Sequence, residues 1–232
     1  LVGSEMCIRD RYLETFTVLR AVNFRKFSSS SIRYTMYSLV KELRGQSLEN
    51  LSTILKRKAI EMPEQWDGLL EFRLHGMNRY FVKFLLARIT AFIEQAAGEH
   101  STFSKYFSSS GSKPYEIEHI WSDKFEEHRD EFEQKHEFDF FRNRIGDLLL
   151  LPQGTNQSYG AKTYTEKLPH YLKENLLAKS LHPKAYENNP NFNSMIRRLE
   201  LPFQPYNQYT RITIEERQQL MKSLCETIWS WQ

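Results

Sequence analysis

Five residues have the types and spacing to do chemistry: Glu118, His119, Asp147, Asn156 and Lys167. The first two sit side by side in YEIEHIWS, and the rest follow in GDLLLLPQGTNQSYGAKTYTEK. The Glu118 carboxylate and the Asn156 side-chain carbonyl are hard oxygen donors of the kind Mg²⁺ takes. That ion keeps several waters and needs only one or two protein ligands beside a substrate phosphate. His119 is the natural general base near neutral pH, its unperturbed pKa being about 6.5. A metal ion and a histidine base are a sufficient kit for phosphodiester hydrolysis. The imidazole deprotonates a water for in-line attack, and the metal stabilises charge on the leaving oxygen. Each member also has a plainer reading. An isolated Glu-His pair is usually the rim of a core strand. Asn156, beside Gly154 and Thr155, reads as a turn residue, and Lys167 alone reads as a solvated helix charge. Glu116 lies on the same strand face as Glu118. It reads first as a rim salt bridge and second as a carboxylate supporting the site from behind.

In a strand, neighbouring side chains point to opposite faces, so Glu118 and His119 converge only where the strand ends or twists. Trp121-Ser-Asp, just beyond, suits an ending. The pattern predicts strands over Tyr115–Trp121 and Ile145–Leu151, a loop over QGTNQSYGAK and a helix over Thr163–Lys179. This small β-β-α unit is embedded in an otherwise helical chain. From Tyr12 to Ala97 the periodicity is helical: Ile32, Met36, Leu39, Val40 and Leu43 share one face, and Gly45 is a plausible stop. A second helix opens at Ser47, with Asn50 as a partial capping signature, and ends at Pro63. A third buries Tyr80, Phe81, Phe84, Leu85, Ile89, Phe92 and Ile93. Ser101–Pro114 reads as a loop. Ser122–Asp139 carries eight Asp/Glu against three Lys/Arg and reads as a solvated helix or loop, with His128 and His136 in solvent. A short helix is expected near Phe192–Leu199, and a closing helix capped by Thr213 with Glu216 completing the box.

The chain has 232 residues, 40% of them apolar, and a net charge of +3. No run approaches the ~20 apolar residues of a membrane-spanning helix, and the net charge points to no partner class. The opening LVGSEMCIRDR (Leu1–Arg11) resembles a translated sequencing-library adapter and is set aside. The natural chain is then expected to begin near Tyr12 as part of a longer protein. Cys225 is left as the sole cysteine, which precludes an intrachain disulfide, suits a cytosolic setting and rules out a cysteine-rich zinc site.

The stretch YEIEHIWS…RIGDLLLLPQGTNQSYGAKTYTEKLPHY resembles the HNH (His-Me finger) nuclease domain at the C-terminal end of GmrSD-type modification-dependent restriction endonucleases. The flanking YLETFTVLRAVNFRKF and EERQQLMKSLCETIW are similar to that family's flanks, so the likeness spans most of Tyr12 to Trp231. The resemblance implies a mainly α fold with a small ββα-metal unit inserted in a helical domain. It divides the chain into a helical region (12–110), a nuclease core (111–182) and a C-terminal segment (183–232) whose closing helix packs on the helical region. It implies His119 as general base, Glu118 and Asn156 as metal ligands for Mg²⁺ or another divalent cation, and Lys167 as a phosphate contact. Asp147 departs from the family's Asn at a position that holds the catalytic loop. An ionised Asp accepts hydrogen bonds there but cannot donate. Implied partners are modified double-stranded DNA from phage or other foreign sources and an upstream ParB-like nucleotide-hydrolysing domain. Local charge agrees: Ala161–Lys184 holds five Lys against two Glu. Arg142, Arg144, Lys162, Lys167 and Lys173 are candidate DNA contacts, with His170 able to reach phosphate or to pack at the core edge. The acidic segment is then expected to face away from DNA. The rival reading is a catalytically weakened module that binds DNA or a partner protein.

Overall fold

The computed structural model describes residues 2–26, 28–108 and 114–231. Its contacts divide into two compact units, one running to Leu69 and taking back the chain from Trp229, the other spanning Leu70–Ile228. The boundary expected at 110/111 lies outside the described residues.

The first unit is built from α1 (Val2–Val22), α2 (Ser29–Leu43) and α3 (Leu48–Ile60). Residues 2–11, set aside in the sequence, form the opening turns of α1. Tyr12, Phe16, Leu19, Leu39, Leu51, Leu55 and Met62 make its core. Gly45, at φ +75°, lets the chain leave α2 in a conformation other residues resist. The Ser47 hydroxyl then caps α3 by accepting from the Asn50 amide at 3.3 Å. Val40, expected on the buried face, is 55% exposed. Leu39 takes the inward position, and its neighbour is turned about 100° away.

The second unit is organised on α4 (Arg79–Ala96), whose Val82, Leu85, Leu86, Ile89 and Ile93 are fully buried. Phe81, Phe84 and Phe92 are half-buried. Tyr80 is a correction to the expected core, being 74% exposed. It lies two residues before Val82, about 200° round the helix from the buried stripe. After α4 come α5 (Phe103–Phe107), β1 (Tyr115–His119), α6 (Lys135–Arg142), β2 (Leu148–Pro152), α7 (Gln153–Tyr159), α8 (Tyr164–Tyr171), α9 (Leu176–Lys179), α10 (Pro190–Arg198) and α11 (Arg211–Ile228). α4 packs against α5, β2, α9 and α11. Its buried Glu94 accepts from the Tyr106 hydroxyl at 2.6 Å and the Leu176 amide at 3.3 Å, which fastens α5 and α9 in place.

The sheet has two antiparallel strands, in register from Tyr115↔Pro152 to His119↔Leu148. Leu148–Leu151 are wholly buried, as a continuous apolar run requires. Both strands are shorter than the pattern predicts. β1 stops at His119, and Ile145–Asp147 is a 3₁₀ turn. The reason lies in α11. A Cβ on Gly146 would meet the Ile214 carbonyl at 2.5 Å and the Gln218 amide nitrogen at 2.9 Å. The Gly146 amide donates to Gln218 Oε1 at 2.7 Å instead of to a strand. Glycine is needed there for close approach, not for turning.

Other differences have equally local causes. QGTNQSY is helical (α7) because it packs on both strands, which outweighs the cost of Gly154. The helix expected over Thr163–Lys179 is interrupted. Pro169 removes a donor inside α8, and Asn175 recaps the chain for α9 through the Ala178 amide. The Ser101–Pro114 loop holds α5, capped by Thr102, while 109–113 lie outside the described residues. α11 starts earlier than expected. Thr210 and Thr213 exchange backbone-to-hydroxyl bonds of 3.3 and 3.5 Å, so Thr213 acts inside the box and not as its cap. His128 is not in solvent: its ring lies 4.2 Å from Trp121 and 5.1 Å from Phe138, whereas His136 is exposed. Among the described residues no helix is long and apolar enough to cross a membrane.

Candidate active site

The end of β1 sorts neighbouring side chains to two sides. Glu118 turns inward and is 4% exposed. Its Oε1 accepts from Lys167 Nζ, delivered by α8, at 2.6 Å. The same ammonium donates to the His119 carbonyl at 2.8 Å and the Ile120 carbonyl at 3.3 Å. One buried lysine thus clamps the strand end and the bend after it. Burial pushes the Glu118 carboxyl above its usual range, against the pull of the Lys167 charge.

Asp147 completes this inner side. It is fully buried, and its carboxyl accepts from the Trp121 amide at 3.2 Å, while its own carbonyl accepts from the Ile120 amide at 2.8 Å. Burial drives its pKa well up, opposed by the Arg142 charge and the Trp121 amide. The protonated acid is thereby favoured, and it carries a donor as well as an acceptor. Arg142 Nε donates to the Trp121 carbonyl at 3.1 Å and holds the same bend from the other side.

His119, on the strand face opposite Glu118, and Glu116 and Asn156, further back along β1, are all partly accessible. His119 Nε2 lies 3.2 Å from Asn143 Oδ1. Asn143 Nδ2 already donates to the Asp139 carbonyl at 2.7 Å, so its Oδ1 is the acceptor and the histidine proton sits on Nε2. Nδ1 is left with a bare lone pair. Burial, and then the Arg142 charge, lower the His119 pKa to about 3, so the ring is neutral. Asn156, on α7, donates through Nδ2 to Glu116 Oε2 at 3.3 Å and to the Ile117 carbonyl at 3.5 Å. Beside this group a cleft of about 480 Å³ is lined by Arg79, Tyr80, Lys83, Tyr115, Glu116 and Ile117, among others.

A family model describing the C-terminal domain of GmrSD restriction endonucleases matches residues 62–224. The chain belongs to this family. No curated protein and no solved structure matches it. Membership places the chain among restriction-endonuclease-related nucleases, with DNA as the implied partner, and nucleases of this kind generally use divalent cations.

Within this GmrSD C-terminal domain the expected residues separate. The structure brings together Glu118 with Lys167, and Glu116 with Asn156. It does not pair Glu118 with Asn156. A cation on Glu118 would share the carboxylate with an ammonium, so the expected Glu118–Asn156 ligand pair does not fit. Glu116 and Asn156 are neighbours, but the Asn156 amide nitrogen, not its carbonyl, faces the carboxylate, so the two would share a cation only with the amide turned over. Among the described residues no group of three or more His, Cys, Asp or Glu forms a metal cluster. Lys167, expected on phosphate, is fully buried and spent on Glu118. Arg144, expected on DNA, is 8% exposed, 3.1 Å from Glu71 and stacked 4.2 Å over Phe141. Arg142 is half-buried on Trp121, Lys162 lies 5.3 Å from the Tyr159 ring, and Lys173 is exposed. His170 packs 5.0 Å from Tyr159. Sequence reasoning missed Asn143, which no spacing rule marks. It also missed Arg79 and Lys83, although an i, i+4 pair of cations at a helix start was there to be read.

Proposed function

We propose that the chain is the nuclease part of a modification-dependent restriction enzyme, an HNH-type DNA endonuclease that hydrolyses phosphodiester bonds with His119 as general base. The observation that carries this reading is the orientation of the His119 ring, held by Asn143 at Nε2 with Nδ1 turned away from that bond. Nδ1 takes a proton from water, and the resulting hydroxide attacks phosphorus in line as the P–O bond to the leaving oxygen breaks. Asn143 holds the ring's tautomer and orientation. Lys167 and Asp147 hold the backbone from which His119 projects. Glu116 and Asn156 would hold the divalent cation, Mg²⁺ in this reading. When bound, it stabilises charge on the leaving oxygen. Modified double-stranded phage or foreign DNA is the proposed substrate, a ParB-like nucleotide-hydrolysing domain the proposed upstream partner, and the cytoplasm the proposed compartment.

Plasmid cleavage with and without Mg²⁺ tests the proposal. His119→Ala is expected to lower the rate by about 10²–10⁴ while DNA binding persists. Equal, negligible cleavage by wild type and His119→Ala under conditions where both bind DNA would instead favour a binding module. The full reading frame serves as the second preparation.

A further inference from the structure

We propose that the cleft beside β1 seats the DNA strand: Arg79 and Lys83 bind its phosphates and Tyr80 stacks a base. This deepens the nuclease reading and rests on it. The cleft, about 480 Å³, opens between the first turns of α4 and the edge of β1. Arg79 and Lys83 are four residues apart and so share one side of α4. Neither makes an ion pair with any described residue, in contrast to Arg144 and Lys167. Glu116, the one carboxylate in the lining, acts on the Lys83 charge without forming an ion pair with it, and accepts from Asn156 Nδ2 at 3.3 Å.

Two further features point to a nucleic acid strand and not to a lone anion. Tyr80 is 74% exposed and Met77 94%, an apolar and aromatic surface alongside the cations. Base–aromatic stacking beside a basic groove is the usual means of holding a strand without reading its sequence. In addition, Asn78 gives no side-chain cap to α4, because its side chain is spent on the His75 amide and the Arg73 carbonyl. The free amides at the start of this long helix add to the attraction for phosphate. The geometry also suits delivery to the base. Ile117 lines the cleft and lies two residues from His119 along β1, or about 7 Å of strand rise. A DNA strand carries one phosphate per ~3.4 Å of helix axis. A phosphate at His119 therefore places its neighbours over the cleft.

The test is fluorescence anisotropy of a labelled duplex and of its single strand, titrated with the full chain across a salt series. The His119→Ala background removes cleavage. Arg79→Ala/Lys83→Ala is expected to reduce the slope of log K against log salt by about two and to weaken binding roughly tenfold at physiological salt. Tyr80→Ala is expected to weaken binding by about fivefold or more, with Tyr80→Phe close to wild type. Unchanged affinity and salt slope in the double variant would overturn the proposal, as would Tyr80→Ala binding like Tyr80→Phe. Failure of the nuclease reading is separable: it appears as equal cleavage by wild type and His119→Ala, whereas the salt slope judges the cleft.

Discussion

The two sides of the β1 end are made from adjacent residues of one motif, yet they are opposite environments. On the inner side Glu118, Lys167 and Asp147 are buried, and each is hydrogen-bonded to a backbone or charged partner. By contrast His119, Asn156 and Glu116 are partly accessible. The Asn156 bonds, at 3.3 and 3.5 Å, are long, so Asn156 and Glu116 can exchange them for a ligand, while His119 keeps the Asn143 bond that orients it. Glu118 and Lys167 cannot exchange theirs without leaving a buried charge unpaired. The motif is thus half scaffold and half candidate chemistry.

The largest effect should come from the scaffold. Lys167→Met leaves Glu118 buried without its partner and is expected to cost about 3–5 kcal/mol of stability, read as a lowered urea midpoint. Adding Glu118→Leu should recover part of that loss. If Lys167→Met were as stable as wild type yet inactive, Lys167 would belong with the outer group and the contrast would fail.

Gly146→Ala drives a methyl into the Ile214 carbonyl and the Gln218 amide of α11. It should cost about 1–3 kcal/mol in the same measurement, whether or not DNA is present.

Asp147→Asn sharpens the comparison with the opposite sign. The folded pKa of Asp147 is raised, so the folded state holds a proton that the unfolded chain releases above about 3.9. Asp147 therefore costs stability as pH rises from that value toward its folded pKa. The variant should be more stable than wild type in thermal melts at pH 8, and the gain should shrink as pH falls toward 4. A gain independent of pH would show that Asp147 is already ionised in the fold.

Asn156→Ala should change stability by no more than about 0.5 kcal/mol and lower cleavage at least ~10-fold, with the deficit reduced at high Mg²⁺. Unfolding of this variant would move Asn156 to the scaffold.

Helix positions were legible where periodicity and caps agreed, as at Ser47–Asn50 and along Val82–Ile93. Four of the five residues singled out by type, Glu118, His119, Asp147 and Lys167, meet at the β1 end, while Asn156 contacts Glu116 and Ile117 further back along the strand. Their assignments were less legible. Lys167 looked like a surface charge because nothing in TYTEKLPHY says which face of α8 meets β1. Glu116 looked subordinate because its partner Asn156 is forty residues away, on a segment that read as loop. Arg144 looked available because Glu71 lies far off in sequence.

By itself the sequence determined a mainly helical chain with a short two-stranded sheet and the membership signalled by its motif. These follow from local periodicity and from side-chain alternation along a strand, which depend on near neighbours. Only the tertiary structure decided which carboxylate is neutralised by Lys167, which nitrogen of His119 is bare, and which cations stay free beside the cleft. Those outcomes depend on partners brought from 24 to 49 residues away, and on burial, which no residue carries alone.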